Sequence, residues 1–329
     1  MRALFNTYPV AFACPGGGEI QLLRCRESLA ALGVDVTLYD PWRPQFGSAD
    51  VVHYFSVQGG SMNFCDYVKR TGLPLLISPI LWLTTENRSR FPLGEIRDLL
   101  HLCDHILPNS EAERDQLSAT FEIDPAKFTV VYNGVDPEFG VLGDPNAFRE
   151  RFDVQGPFLL NVANVEPRKN QRLLARVARR MDVDLVLVGH VRDDSYMDAC
   201  RTDGGARVRH VGYLDHDSPL LKSAYRACEV FVLPSQLETP GLAALEAAAQ
   251  GARVVITSEG ATGEYFESLA VYADPASDES LRTAIESQWA APRSDDLRRH
   301  VLDNFTWSHA GRALVDAYQR TLLATSTVC

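Results

Sequence analysis

The stretch PSQLETPGLAALEAAAQG, Pro234–Gly251, carries two glutamates with seven residues between them. Glu238 follows the apolar run EVFVLPS, which reads as a strand. Glu246 lies inside an alanine-rich run that reads as a helix. Thr239 suits the N-cap of that helix and Pro240 its first position. Glu238 then falls just outside the helix, and the backbone N–H groups of Gly241 and Leu242 point at the same space. Leu242 and Glu246, four residues apart, share a helix face. Carboxylates accept paired hydrogen bonds from sugar hydroxyls and ribose diols, and the amides of a helix start suit a phosphate. One turn of chain is thus equipped for sugar, phosphate and ribose in a row. The plainer alternative is a solvated pair of acids on an alanine-rich helix.

Two cations, Arg168 and Lys169, stand in NVEPRKNQ at the start of a helix expected from about Lys169 to Arg180. Cations favour helix C-termini, so a pair at an N-terminus suits a bound phosphate or pyrophosphate, or else is two solvated charges. Gly16 to Gly18, in CPGGGE, precede a helix expected from about Glu19 to Leu32. Glycines permit close backbone approach to an anion at a helix start, although a plain strand–helix turn has the same composition. The pattern is not G-x-G-x-x-G, which disfavours a dinucleotide fold. His53, within DVVHYF, reads as a buried structural residue, and His101 and His105 as helix-end and loop histidines. Ser110 with Glu113 forms a capping box. No D-x-D stands near a strand end, so no metal is expected.

Positioning these residues requires strands that end where they lie. ALFNTY, DVTLYD, DVVHYFSV, LPLLISPI, DHILPNS and FTVVYN read as one series of strands. FLLNVANV, DLVLVGH, VRHVGYL, EVFVLPS, ARVVITS and LAVYA read as another, with helices between. Alternation of this kind predicts α/β architecture with parallel, doubly wound sheets. Two Rossmann-like domains follow, residues 1–150 and 151–307, joined within the turn-rich stretch 140–156. A tail helix from about Ser308, its N-cap, packs back on the first. Two such domains facing a cleft bind ligands at the carboxyl ends of their strands.

Apolar residues make up 46% and charged residues 23% of the 329 residues, a globular balance, and the net charge is −11. Both halves are acidic, which argues against nucleic-acid binding and leaves peripheral membrane contact open. Seven scattered cysteines without C-x-x-C read as reduced thiols of a cytoplasmic protein. No apolar run reaches the ~18 residues that span a bilayer.

The motifs together resemble the family-4 retaining glycosyltransferases of the GT-B fold. They are E-x7-E at Glu238 and Glu246, E-P-R-K-N at Glu166–Asn170, N-G-V-D at Asn133–Asp136, P-N-S-E-x-E at Pro108–Glu113, and the N-terminal glycine turn. They stand in the family's order and spacing, most closely in the C-terminal half. The resemblance implies that Glu246 binds the nucleotide ribose and Glu238 contacts the transferred sugar. It gives Lys169 the donor pyrophosphate, with Arg168 beside it, and gives the Gly241 and Leu242 amides the phosphate or sugar. Gly17 and Gly18 would approach the phosphates. Thr239, Pro240 and Asn164 complete the donor-binding set. Many members carry Arg where Asn164 stands, and a His after the fourth strand that LLISPILW lacks. The implied substrates are a nucleoside-diphosphate sugar and a glycan, lipid-linked or small-molecule acceptor, without a metal cofactor. A sugar-nucleotide epimerase and a non-catalytic sugar-nucleotide-binding protein are the alternatives.

Overall fold

The computed structural model describes residues 1–13, 16–57, 60–85 and 87–326. The chain divides into two units, residues 1–133 with the helix from Trp307, and residues Gly134–Thr306.

The first unit runs β1 (Arg2–Thr7), α1 (Gly17–Ala31), β2 (Asp35–Leu38), β3 (Val51–Phe55), α2 (Ser61–Arg70), β4 (Leu75–Ser78), α3 (Leu93–Leu102), β5 (His105–Ile106) and α4 (Glu111–Phe121). Its sheet has the order β2-β1-β3-β4-β5, and all pairings are parallel. A parallel sheet covered on both faces needs continuously apolar strands. Every residue of β3 and β4 is buried, His53 and Ser78 included. FTVVYN does not form a sixth strand. Phe128 makes one bridge to Ile106, because β5 is only two residues long and offers no longer edge.

The second unit runs α5 (Pro145–Phe152), β6 (Phe158–Val162), α6 (Gln171–Arg180), β7 (Asp184–Val188), α7 (Asp194–Gly204), β8 (Val208–His210), α8 (Pro219–Ala227), β9 (Val230–Leu233), α9 (Leu242–Ala249), β10 (Arg253–Thr257), α10 (Thr262–Phe266), β11 (Val271–Ala273), α11 (Asp278–Ala290) and α12 (Asp296–Asn304). The sheet order is β11-β10-β9-β6-β7-β8, again parallel. Its core joins β6, β7 and β9 to α6 and α11 through residues such as Leu159, Leu174, Leu187, Val232 and Ile285. Each such side chain, fully buried, contributes about 1.5–3 kcal/mol.

α13 (Trp307–Ser326) returns the chain to the first unit and packs on α1, close enough that a Cβ on Gly311 would lie 2.9 Å from the Ser28 hydroxyl. Ser308 therefore sits inside the first turn and is not the N-cap. Thr306 is still extended, bridged to Val135, and the helix turns directly after it.

The division also lies before the linker expected over 140–156. That stretch is built into the second unit. Gly143 N–H donates to Gln250 (2.8 Å), Phe148 N–H donates to Ser223 (2.8 Å), and Phe148 is fully buried against Phe158. Cys25, Cys65, Cys103, Cys200 and Cys228 are free and buried, and burial pushes the Cys25 thiol up to about 12. Cys14 and Cys329 lie outside the described residues. Among those residues no helix is long and apolar enough to cross a membrane.

Candidate functional site

Beyond β6 the chain makes a tight turn at Pro167–Lys169, and Asn170 takes a left-handed conformation (φ 59) before α6 begins. The two cations thus precede the helix rather than open it. Asn170 Nδ2 donates to the carbonyls of Pro234 (3.1 Å) and Pro275 (2.8 Å), and Gln236 N–H donates to the Arg168 carbonyl (2.9 Å). These ties hold the turn against the loop after β9. As a result Lys169 Nζ donates to Glu238 Oε1, with side chains only 15% and 8% exposed. Burial works to raise the Glu238 carboxyl. The charge of Lys169, then of Arg168, outweighs it and holds the group below its ordinary range. Glu238 is thus a buried carboxylate, and Lys169 keeps further N–H donors for a ligand. Arg168 is more exposed and pairs with Glu166 at 3.2 Å.

Glu238 is also fixed through its backbone. Its N–H donates to Glu259 and its carbonyl accepts from Ala261. Gly260 passes so close that a Cβ there would lie 2.1 Å from the Glu238 carbonyl oxygen, and its φ is +101. Both conditions require glycine. Sequence reading missed Gly260; its signal, SEG between a strand and a helix, is that of any turn.

The helix of the opening motif begins at Leu242, with Gly241 as N-cap, not at Thr239 and Pro240. Gly241 has φ +85, a left-handed value that a right-handed helix cannot include, so the helix starts after it. The Thr239–Pro240 peptide is cis. Among the described residues, the N–H groups of Gly241, Leu242 and Ala243 have no hydrogen-bond acceptor.

Glu246 lies within the buried run Ala244–Ala249 and is itself buried, as is Glu238, so the solvated acid pair is not what forms. One Glu246 oxygen accepts from the Tyr225 hydroxyl at 2.7 Å. Burial, then the Glu246 charge, raises the Tyr225 hydroxyl well above its ordinary range, so it stays a donor. The other oxygen lies 3.3 Å from His216 Nδ1, and His216 Nε2 is 2.9 Å from Asp136 Oδ2. Asp136, His216 and Asp217 offer ligand atoms within 4.8 Å of one another.

With its amide oriented as its neighbours require, the Asn164 oxygen accepts from Arg192 Nε (3.3 Å) and Nη2 (3.0 Å). A guanidinium therefore stands beside the position where the motif lacks arginine, supplied by the loop after β7. Sequence reading missed Arg192, His216 and Tyr225, which join the site from distant parts of the chain.

Gly17 and Gly18 belong to the first unit, at the start of α1, where Gly16 is the N-cap. Space is open beside Gly17, while a Cβ on Gly18 would lie 3.3 Å from Ile80. Glu19 Oε2 already accepts from Gly16 N–H at 2.7 Å, so an anion arriving there meets a carboxylate. His53 is fully buried between Tyr318 (2.6 Å) and Ser78 (2.9 Å), and burial pushes it down to about 3. His101 contacts the Phe121 carbonyl and His105 the Thr129 hydroxyl. Ser110 caps α4 through Glu113 N–H, while the Glu113 carboxylate accepts from Asn109 and Leu81 N–H.

Two parallel-sheet α/β units of this topology define the GT-B class of folds. The sucrose-phosphate synthase of Thermosynechococcus elongatus superposes with a TM-score of 0.82 at 19% identity, covering 98% of this chain and 99% of that one. HepE of Anabaena, in complex with UDP and glucose, gives 0.78 at 17% identity over 97% of this chain and 100% of that one. Residues 144–300 match the family described as Glycosyl transferases group 1, and residues 49–139 match Glycosyltransferase Family 4. The D-inositol 3-phosphate glycosyltransferase of Stackebrandtia nassauensis is 29% identical over 243 residues, 65% of this chain and 54% of that protein. The chain spans about half the length of the curated relatives it matches. Over most of its length the chain is thus similar to the family-4 type of glycosyltransferases.

Proposed function

We propose that the chain is a retaining glycosyltransferase that moves a sugar from a nucleoside-diphosphate sugar to a hydroxyl of a glycan, lipid-linked or small-molecule acceptor, in glycan or polysaccharide biosynthesis. The observation that carries this reading is the buried contact of Lys169 with Glu238, four residues before a helix that holds Glu246 in its interior. In this reading Glu246 takes the ribose, Glu238 the transferred sugar and Lys169 the diphosphate. The amides of Gly241 and Leu242 supply further donors beside Thr239 and Pro240. The Ser235 hydroxyl, buried two residues after β9, lies beside the Glu238 carboxylate and helps to hold it ionised. At the strand ends, His190 and the half-exposed Tyr213 stack with centroids 4.1 Å apart and offer a flat face suited to a base.

The chemistry follows from the charges. The bond between the anomeric carbon and the diphosphate oxygen breaks, and the acceptor oxygen bonds that carbon from the same face. The acceptor proton passes to the leaving diphosphate. Negative charge grows on the leaving group, so a cation fixed there, Lys169 aided by Arg168 or Arg192, lowers the barrier without a metal. HepE, with UDP, shares this fold. Five buried free thiols suit a reducing compartment such as the cytoplasm.

A second reading, a sugar-nucleotide-binding protein without turnover, draws on Asn164 in the place of arginine. A thermal-shift screen of UDP-, GDP-, ADP- and dTDP-sugars, followed by product analysis with mixed acceptors, separates the two. A donor at 100 times its dissociation constant stabilises by about 2.7 kcal/mol. A shift with transfer and retained anomeric configuration supports the proposal; a shift without transfer to any acceptor supports the second reading; no shift removes both.

A further inference from the structure

We propose that Tyr225 is a positioning residue: its hydroxyl holds the Glu246 carboxylate in the orientation that receives the ribose hydroxyls, so that discrimination between ribonucleoside and deoxyribonucleoside diphosphates depends on it. The proposal rests on the reading of Glu246 as the ribose-binding carboxylate.

Tyr225 is fully buried on α8, which packs on α9, the helix of Glu246. Its hydroxyl donates to Glu246 Oε2 at 2.7 Å. The ring lies between Phe231, edge-on with centroids 5.6 Å apart, and Phe139 at 6.3 Å. The helix beneath it is anchored as well. Ser218 caps α8 through Leu220 N–H (3.2 Å), and the Ser223 hydroxyl accepts from Phe148 N–H (2.8 Å) and donates to the Asp144 carbonyl. The hydroxyl therefore occupies a fixed place. Phenylalanine would fill the same space with no polar group to bury, and a buried hydroxyl is costly without a partner. Packing does not account for the oxygen; its bond to Glu246 does.

The bond acts on what Glu246 can offer. The last torsion of a glutamate is broad, so a carboxylate with no fixed partner turns easily. The Tyr225 hydroxyl stops that turning and takes one of the four or so lone-pair sites on the two oxygens. The other oxygen lies 3.3 Å from His216 Nδ1, and 11% of the Glu246 side chain remains exposed. Each oxygen keeps a site for a ligand. Two acceptor oxygens in a fixed plane are the pattern that pairs with a vicinal diol, such as the 2′ and 3′ hydroxyls of a ribose. Because the plane is set before the ligand arrives, its ordering does not have to be met on binding. Tyr225, Glu246, Phe139, Phe231 and His216 all belong to the second unit.

The experiment is calorimetric titration of UDP, GDP and ADP, and then of the 2′-deoxy and 3′-deoxy forms of the one that binds, to wild type and to Tyr225→Phe. In wild type the loss of a ribose hydroxyl weakens binding about tenfold or more, as expected for one hydrogen bond to a charged group. In Tyr225→Phe the ribonucleotide weakens about tenfold and the deoxy forms about twofold at most, so the discrimination shrinks. A tyrosine that only supports the fold would weaken all three forms by one factor. That outcome, or unchanged discrimination in Tyr225→Phe, overturns the positioning role and leaves the ribose assignment of Glu246 intact. Equal wild-type affinity for the ribonucleotide and both deoxy forms removes that assignment and this proposal with it, as does the absence of binding by UDP, GDP and ADP alike. A crystal structure of the wild type with the bound diphosphate is the measurement that does not depend on the variant folding. It is expected to show Glu246 bonded to the Tyr225 hydroxyl and to the ribose together; a carboxylate turned away from Tyr225 in that complex overturns the proposal.

Discussion

Lys169 and Glu238, 69 residues apart in sequence, meet through a buried ammonium–carboxylate hydrogen bond. The contact joins the loop after β6 to the loop after β9, and it sets the terms for any ligand that enters. Under the proposed function a diphosphate would compete with Glu238 for the Lys169 donors, and a sugar hydroxyl would hydrogen-bond the Glu238 carboxylate.

Removing either partner leaves the other charge buried and alone, which costs about 3–5 kcal/mol. Lys169→Ala is expected to lose stability of this order, and Lys169→Ala with Glu238→Gln to recover part of it, in urea unfolding. In the proposed mechanism the Lys169 charge acts on the leaving group, so Lys169→Ala is expected to lower kcat as well as kcat/KM. A rise in KM alone would place Lys169 in ground-state binding only.

Glu246→Ala is expected to weaken nucleotide binding by about 1.5–3 kcal/mol, the worth of a hydrogen bond to a charged group. Glu246→Gln, which retains the contact with Tyr225, loses less. Calorimetry decides: equal affinity in wild type and Glu246→Ala rules out the ribose assignment.

Gly260→Ala puts a methyl 2.1 Å from the Glu238 carbonyl oxygen in a left-handed conformation. Overpacking of this kind costs about 1–3 kcal/mol. The expected result is a lowered unfolding midpoint together with weakened sugar-nucleotide binding, since the backbone that must shift carries Glu238. Gly263→Ala, where a Cβ meets nothing within 4 Å, is the control for helix and turn effects.

His53 gives the first unit a pH dependence of defined sign. Its folded value is pushed from 6.5 to about 3 by burial. Between these two values the unfolded chain binds a proton that the folded chain does not. Stability from this group is therefore complete above pH 6.5 and is lost as pH falls toward 3. The slope is about 1.4 kcal/mol per pH unit. Urea midpoints measured over this interval should fall more steeply in wild type than in His53→Gln; equal slopes would mean that the imidazole is protonated in place.

Transfer is expected to persist in EDTA, because Lys169 and the neighbouring guanidinium groups supply the positive charge. Complete loss restored by magnesium or manganese would overturn this and turn attention to Asp136, His216 and Asp217, whose ligand atoms lie within 4.8 Å of one another.

The strands were legible because a parallel sheet buried on both faces demands unbroken apolar runs, and LLIS and VFVL have no other use. FTVVYN also reads as a strand, but it makes only one bridge to the two-residue β5, with Thr129 N–H donating to Ile106 and Val131 N–H to Pro108, too little for a strand of its own. The start of α9 was misplaced because Thr-Pro-Gly satisfies the local rules for an N-terminus at Thr239, whereas the backbone turns left-handed at Gly241. The motif positions place Lys169 and Glu238 after two strands, but their contact and the burial of both glutamates come from the neighbouring order of β6 and β9 in the sheet. The supports of Glu246 are not legible either: Asp136, His216 and Tyr225 are brought together by topology, and each alone is an ordinary surface or core residue type. Arg192 beside Asn164 is hidden for the same reason.

The second unit begins and ends at one place. Val135 N–H donates to the Phe305 carbonyl at 2.9 Å, and Val135 bridges Thr306, so the strands entering and leaving the unit lie side by side. Topologically it is an insertion in the first unit, whose own last helix follows it. In an inserted module whose ends lie together, the loop is closed within the module itself. Residues Gly134–Thr306 are therefore expected to fold as a cassette when expressed alone, and a single cooperative unfolding transition of that fragment would show it.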